Sequence, residues 1–159
     1  MSAAKNKRPY VVRLSPTHGR GAFATRTIRK GARIVEYRGT RSTYDEACER
    51  PDSDPSDPFH TLLFELSDGT VIDAGRKGNA ARFINHSCSP NCEPLEHAKY
   101  RVFIHAKRTI RPGEELCYDY QLVFHGRLSK RARKAMQCRC GSPRCRGSML
   151  EPEGAKSMR

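Results

Sequence analysis

Long apolar runs are missing from this chain. Thr61-Leu62-Leu63-Phe64 is among the longest, far too short to cross a bilayer, and the N-terminus carries no secretory apolar region. A soluble, intracellular protein without membrane contact is expected. Internal repeats are also missing, which argues against a solenoid or propeller. Acid is absent from two long stretches: Met1 to Val35 holds nine Lys or Arg and no carboxylate, and Gly126 to Gly147 holds eight and none. A disulfide framework is excluded by the cysteines. They number seven, and three of them fall within eight residues, a spacing suited to a tetrahedral thiolate metal site in a reducing compartment. One dense cluster is too few ligands for a free-standing zinc ribbon.

What remains fits one domain. A length of 159 residues with 36% hydrophobic content supports a modest core with appendages, and a metal clamp would supplement it. The net charge of +13 is uneven. Between Asp45 and Asp68 lie eight acids and one base, Arg50, an island able to attract a Lys/Arg-rich peptide. The basic ends suit nucleic acid or an acidic partner, although most such charge is simply solvated surface. No oligomeric state follows from these residues.

The patterning is mainly β. Strands are predicted at Tyr10–Leu14, Arg33–Tyr37, Ala98–Ile104 and, after a Pro112-Gly113 turn, through Tyr118, and a hairpin at 61–73 turning on Asp68-Gly69. Ser42 is expected to cap a short helix running through Cys48. Pro51 to Pro58, with three prolines and no apolar residue, reads as an exposed loop. Leu128, Ala132, Ala135 and Met136 have helical spacing among basic residues, which predicts an amphipathic helix.

Two segments carry the chemistry. Arg82-Phe83-Ile84-Asn85-His86-Ser87-Cys88-Ser89-Pro90-Asn91 sets an apolar run against an amide, an imidazole and a thiol, a reasonable cofactor floor. Gly113-Glu114-Glu115-Leu116-Cys117-Tyr118-Asp119-Tyr120 ends a strand on two tyrosines, which suits an aromatic slot. Gly19-Arg20-Gly21-Ala22-Phe23 allows close backbone approach, but it lacks the third glycine of a dinucleotide fingerprint, and alone it would be an ordinary turn. Cys138-Arg139-Cys140-Gly141-Ser142-Pro143-Arg144-Cys145 supplies three thiolates.

In this order the four segments resemble the SET-domain protein-lysine N-methyltransferases with their post-SET zinc segment, over about residues 10 to 150. The resemblance implies a mainly β fold with a few short helices, a β-clip of small curved sheets with a C-terminal pseudoknot and a post-SET zinc site. It divides the chain into a basic arm (1–9), a SET domain (10–120, with a variable insert near 42–58), a basic helical linker (121–137), the zinc segment (138–150) and a tail (151–159). The implied activity is S-adenosylmethionine-dependent methyl transfer to a lysine ε-amine. The substrate class is a basic protein or peptide such as a histone-like tail, and Asp52, Asp54 and Asp57 are expected to steer it. A nearly bare domain would suit a bacterial stand-alone member in the cytoplasm or nucleoid, or a chromatin enzyme fragment in the nucleus.

Roles carry over by position. Arg20, Gly21, Ala22, His60, Asn85, His86 and Tyr120 are expected to hold the cofactor. Tyr120 is the principal catalytic residue and Tyr118 the residue that limits product methylation; a core aromatic is the plain alternative for each. Cys88, Cys138, Cys140 and Cys145 are expected to hold zinc, with Cys92 as competitor to Cys88, and Cys48 and Cys117 as ordinary buried thiols. Tyr37 is a further candidate for the cofactor or lysine wall. Leu62 stands where many relatives carry a tyrosine. The rival reading is an inactive SET-like fold that binds nucleic acid or chromatin.

Overall fold

In strand β1, Tyr10–Leu14, only Tyr10 is buried, whereas in β2, Arg20–Ala24, everything after Arg20 is. That contrast fixes the first strand at an edge and the second inside a sheet. The computed structural model describes residues 8–51, 62–124 and 126–152. His60, Asp52, Asp54 and Asp57 lie outside the described residues, as do most of the arm, the Pro51–Pro58 loop beyond Pro51 and most of the tail.

β1 and β2 form an antiparallel hairpin with Tyr10 opposite Ala24 and Leu14 opposite Arg20. Gly19 sits at φ +46° in its turn, a left-handed conformation that glycine adopts without steric cost. Further along come β3 (Arg33–Tyr37), β4 (Thr40–Thr43), β5 (Leu63–Glu65), β6 (Thr70–Asp73), β7 (Asn85–His86), β8 (Cys92–His97), β9 (Arg101–Ala106) and β10 (Glu115–Tyr118). They make three small sheets of order β1-β2-β10-β7, β3-β9-β8 and β4-β6-β5. Among the described residues, two short α-helices, α1 (Tyr44–Glu49) and α2 (Lys130–Ala135), and 3₁₀ turns at Ala80–Phe83 and Ala98–Tyr100 complete the set.

Two apolar clusters hold the sheets together. One gathers Ala22, Ile28, Ile84, Cys92, Ile104, Ile110, Leu116 and Tyr118, and the other Tyr37, Leu66, Ile72, Ala81 and Val102. Strand β9 serves both, because Val102 enters the second cluster and Ile104 and Ala106 the first.

Several expectations need correction. Thr43, not Ser42, caps α1: its hydroxyl accepts from the Glu46 amide while the Glu46 carboxylate accepts from the Thr43 amide, and Ser42 lies in β4. The strand expected from Ala98 begins at Arg101. Ala98–Tyr100 is a 3₁₀ turn in which Lys99 and Tyr100 have φ of 61° and 54°, and Tyr100 is exposed. The linker helix spans six residues and buries Ala132 and Met136, but Ala135 is exposed. Cys48 is exposed rather than buried. Among the described residues, no helix is long and apolar enough to cross a membrane.

Candidate functional site

Strand β10 organises the site. It runs antiparallel to β2 and parallel to β7, pairing Leu116 with Ala22, Cys117 with Asn85 and Tyr118 with His86. Three of the segments singled out in the sequence therefore share one sheet. The Asn91 side chain seals the junction, accepting from the Cys117 amide at 2.9 Å and donating to the Glu115 carbonyl at 2.8 Å.

Asn85 is buried, and its Nδ2 donates to the carbonyls of His18 and Arg20, both at 3.1 Å, and to Glu115 Oε1 at 2.8 Å. One amide thus ties the glycine turn to β10. Ser15 Oγ donates to the other Glu115 oxygen at 2.9 Å. With both oxygens engaged, Glu115 fills the space beside Gly21, where a Cβ would lie 2.2 Å from Oε1. Ala22 is fully buried, and Arg20 is exposed with its guanidinium 5.0 Å from the Phe83 ring centre.

His86 is buried, and burial holds its imidazole down at about 4, so the ring is neutral at neutral pH. Its Nδ1 accepts the Tyr120 amide at 3.0 Å, which assigns the ring proton to Nε2. The ring meets Tyr120 edge-on with centres 5.3 Å apart.

Tyr118 is the last residue of β10, and Tyr120 lies just beyond the strand end. Their ring centres are 4.8 Å apart, so the two phenols still form one wall. Tyr120 Oη donates to the Ile84 carbonyl at 2.8 Å, and Tyr37 Oη to the Leu62 carbonyl at 2.9 Å. Leu62 thus contributes a backbone oxygen where no side-chain hydroxyl exists. Burial raises all three phenols above the ordinary tyrosine value, and Tyr118 and Tyr120 add to the rise at Tyr37. Three neutral phenols are grouped together.

The sulfurs of Cys88, Cys138, Cys140 and Cys145 all lie within 4.8 Å of one another. Four thiolates on one zinc with bonds of about 2.3 Å would stand about 3.8 Å apart. Backbone amides point at these sulfurs: Cys140 to Cys138 at 3.4 Å, Arg146 to Cys88 at 3.4 Å and Gly147 to Cys145 at 3.3 Å. Donors aimed at sulfur are what thiolate ligands need, so the donor set fits zinc. Cys92, the competing candidate, is fully buried elsewhere, and burial pushes its thiol up to about 12.

The cysteine segment is fastened to the tyrosines. Arg146 grips Asp119 with two bonds of 2.7 and 2.9 Å. Burial pushes the Asp119 carboxyl up, but the Arg146 bonds outweigh it and hold the group below its usual value. Leu122 and Met149 bond through their backbones. Glu115, Asn91, Asp119 and Arg146 were not singled out as site residues in the sequence. Glu115 and Asp119 stand inside the quoted tyrosine segment, but the bonds that give them meaning reach across 100 residues to Ser15 and 27 to Arg146.

Three small sheets, an Asn-His strand laid against a tyrosine strand, and a four-thiolate centre closing over it define a SET-type fold. Residues 19–121 match the SET domain family model, and the chain belongs to the SET domain family. It is 41% identical over 139 residues to the histone-lysine N-methyltransferase trithorax of Drosophila virilis, covering 83% of this chain and 3% of that protein. Identity is 39% over 136 residues to an H3 lysine-4 specific histone-lysine N-methyltransferase of Mycosarcoma maydis, covering 83% of this chain and 9% of that protein. It is 38% over 138 residues to histone-lysine N-methyltransferase 2B of Homo sapiens, covering 83% and 5%. The chain thus spans a small part of the length of these curated relatives.

Proposed function

We propose that this chain transfers a methyl group from S-adenosylmethionine to the ε-amine of a lysine on a protein, with a histone-like basic tail as the substrate class. The supporting observation is the grouping of buried Tyr37 and Tyr118 with half-buried Tyr120, the last two beside the Asn85-His86 strand. When bound, the cofactor supplies a methyl carbon on a positively charged sulfur that departs as a neutral thioether when the amine nitrogen displaces it. Acceptors suited to such a cation surround the strand: the carbonyls of His18, Arg20 and Ile84 and the Glu115 carboxylate. Arg20, Gly21, Ala22, Asn85, His86 and Tyr120 would hold it.

The lysine must arrive neutral. A lysine held against these largely buried phenols would have its ammonium form disfavoured, so the proton leaves to solvent before attack. Tyr120, whose hydroxyl proton is committed to the Ile84 carbonyl, presents oxygen lone pairs to the amine and to weak CH···O contacts with the methyl group. Cys88, Cys138, Cys140 and Cys145 would hold one zinc ion, and four thiolates leave it no open position, so its task is to pin the C-terminal segment. A histone substrate would place the chain with chromatin.

The experiment pairs cofactor-dependent thermal stabilisation with methyl incorporation into a histone-tail peptide. Wild type should be stabilised and active, and Tyr120→Phe should lose activity by about 10² or more. Stabilisation by cofactor with no incorporation into any protein would favour the inactive binding fold.

A further inference from the structure

At the end of β3, with Tyr37 in its lining, opens a cleft of about 340 Å³ whose other lining residues include Glu36, Arg38, Arg41, Lys77 and Arg101. Four cations face one carboxylate. Glu36 is already shared: Arg101 binds both of its oxygens at 2.9 Å and Arg38 one at 3.0 Å. The side chains of Arg38 and Arg101 nevertheless remain 63% and 48% exposed, so their guanidinium groups still face solvent. Arg41 is exposed and held in place, donating to the carbonyls of Lys99 and Tyr100 in the left-handed turn before β9. Lys77 is exposed, and no ion pair to it is found among the described residues. Its own φ of 53° sets it at the end of the β6 turn. Gly39, in the lining, packs against the Asp73 backbone, where a Cβ would stand 2.2 Å from the Asp73 carbonyl.

Fixed guanidinium forks around a concave surface suit phosphate oxygens, and Lys77 adds a point charge. We propose that this cleft seats the phosphodiester backbone of duplex DNA, leaving the Tyr118–Tyr120 wall, which is not part of its lining, free for a protein tail. Duplex DNA carries about one charge per 1.7 Å, a density that acidic peptides do not reach, and the release of its counterions rewards a cleft of several cations. The net charge of +13 adds long-range attraction. The inference rests on the proposed methyl-transfer reading only for its setting, a histone-like substrate presented on DNA.

The test is fluorescence anisotropy of a 20-base-pair duplex over a salt series, with wild type, Lys77→Gln, Arg41→Gln, the double variant, and a control pair at the β2–β3 connection, Arg29→Gln with Lys30→Gln. Each lost phosphate contact should reduce the salt slope by about 0.9, so the double variant should lose ~1.8 and bind at least about tenfold more weakly at 0.1 M salt. The control pair removes equal charge and should keep most of the slope. Since Arg41 also ties the Lys99-Tyr100 turn, Lys77→Glu stands as the variant with no structural bond to lose. Unchanged duplex binding in Lys77→Glu and the double variant overturns the proposal. So does equal loss in the control, or a dependence on Lys77 shown by a polyglutamate peptide and not by the duplex. Methylation of a free peptide should be equal in wild type and Lys77→Glu. If wild type binds duplex through the cleft and methylates nothing, the activity reading alone falls.

Discussion

Tyr118 shows how much one hydroxyl can decide. The ring is buried and 4.8 Å from Tyr120, so losing only the oxygen leaves the wall in place. In the proposed reaction, that oxygen anchors a water where a further methyl would sit. Tyr118→Phe should therefore shift products toward higher methylation states at similar turnover, read by mass spectrometry of the peptide; an unchanged distribution removes Tyr118 from product control. Glu36 supplies the clearest pH dependence. The Arg101 hydrogen bond, opposed by burial and helped by Arg38, holds its carboxyl down at about 2, below the 4.5 of a free glutamate. A depressed carboxyl stabilises the fold above about pH 4.5 and loses that contribution as pH falls toward 2. Urea midpoints measured from pH 6 to pH 3 should accordingly fall more steeply for wild type than for Glu36→Gln, which starts lower and changes less. At this scale the sequence was legible where a side chain acts alone. The Tyr118–Tyr120 pairing and the clustering of Cys138, Cys140 and Cys145 were readable, whereas Glu115 was not, since its meaning comes from Ser15 and Asn85 brought to it by folding.

Among the elements, α1 is the most exposed to a single change. Six residues are too few for a helix to stand without its ends satisfied, and the reciprocal Thr43–Glu46 bonds supply that. Thr43→Ala should cost about 1 kcal/mol of stability, measured by chemical denaturation. Activity should be retained, because the cap faces solvent. Strands with apolar alternation or a turn signal were readable from the residues alone: β1, β3 and the β5–β6 hairpin with Gly69 at φ +83°. Two were not. β4 reads Thr-Arg-Ser-Thr and has no apolar stripe, and β8 carries Pro94 between two glutamates, tolerable because it lies at the edge of the β3-β9-β8 sheet. Both acquire strand form from their neighbours, β6 and β9, which no local pattern announces.

At the scale of the whole molecule, the cysteine cluster ties the C-terminal segment back to the Asn-His strand. Cys88 follows the Asn-His strand, while its three partners come from beyond residue 137, joined to the site by Arg146–Asp119 and the Leu122–Met149 backbone bonds. Among the described residues, the two apolar clusters contain none beyond Tyr120, so the body of the fold does not depend on that closure. Chelating the metal should abolish methyl transfer and raise hydrogen exchange in residues 138–150, with the exchange of β2, β9 and β10 unchanged. Full activity after verified metal removal would rule out a role for the clamp.

Strand β9 has the last consequence. Since successive inward side chains of one six-residue segment plug two separate oily interiors, neither half of the body has a private spine. A lesion that loosens Val102 is felt at Ile104 two steps along the same backbone, so the molecule should come apart in one event, and damage begun behind Tyr37 reaches the floor beneath Tyr118.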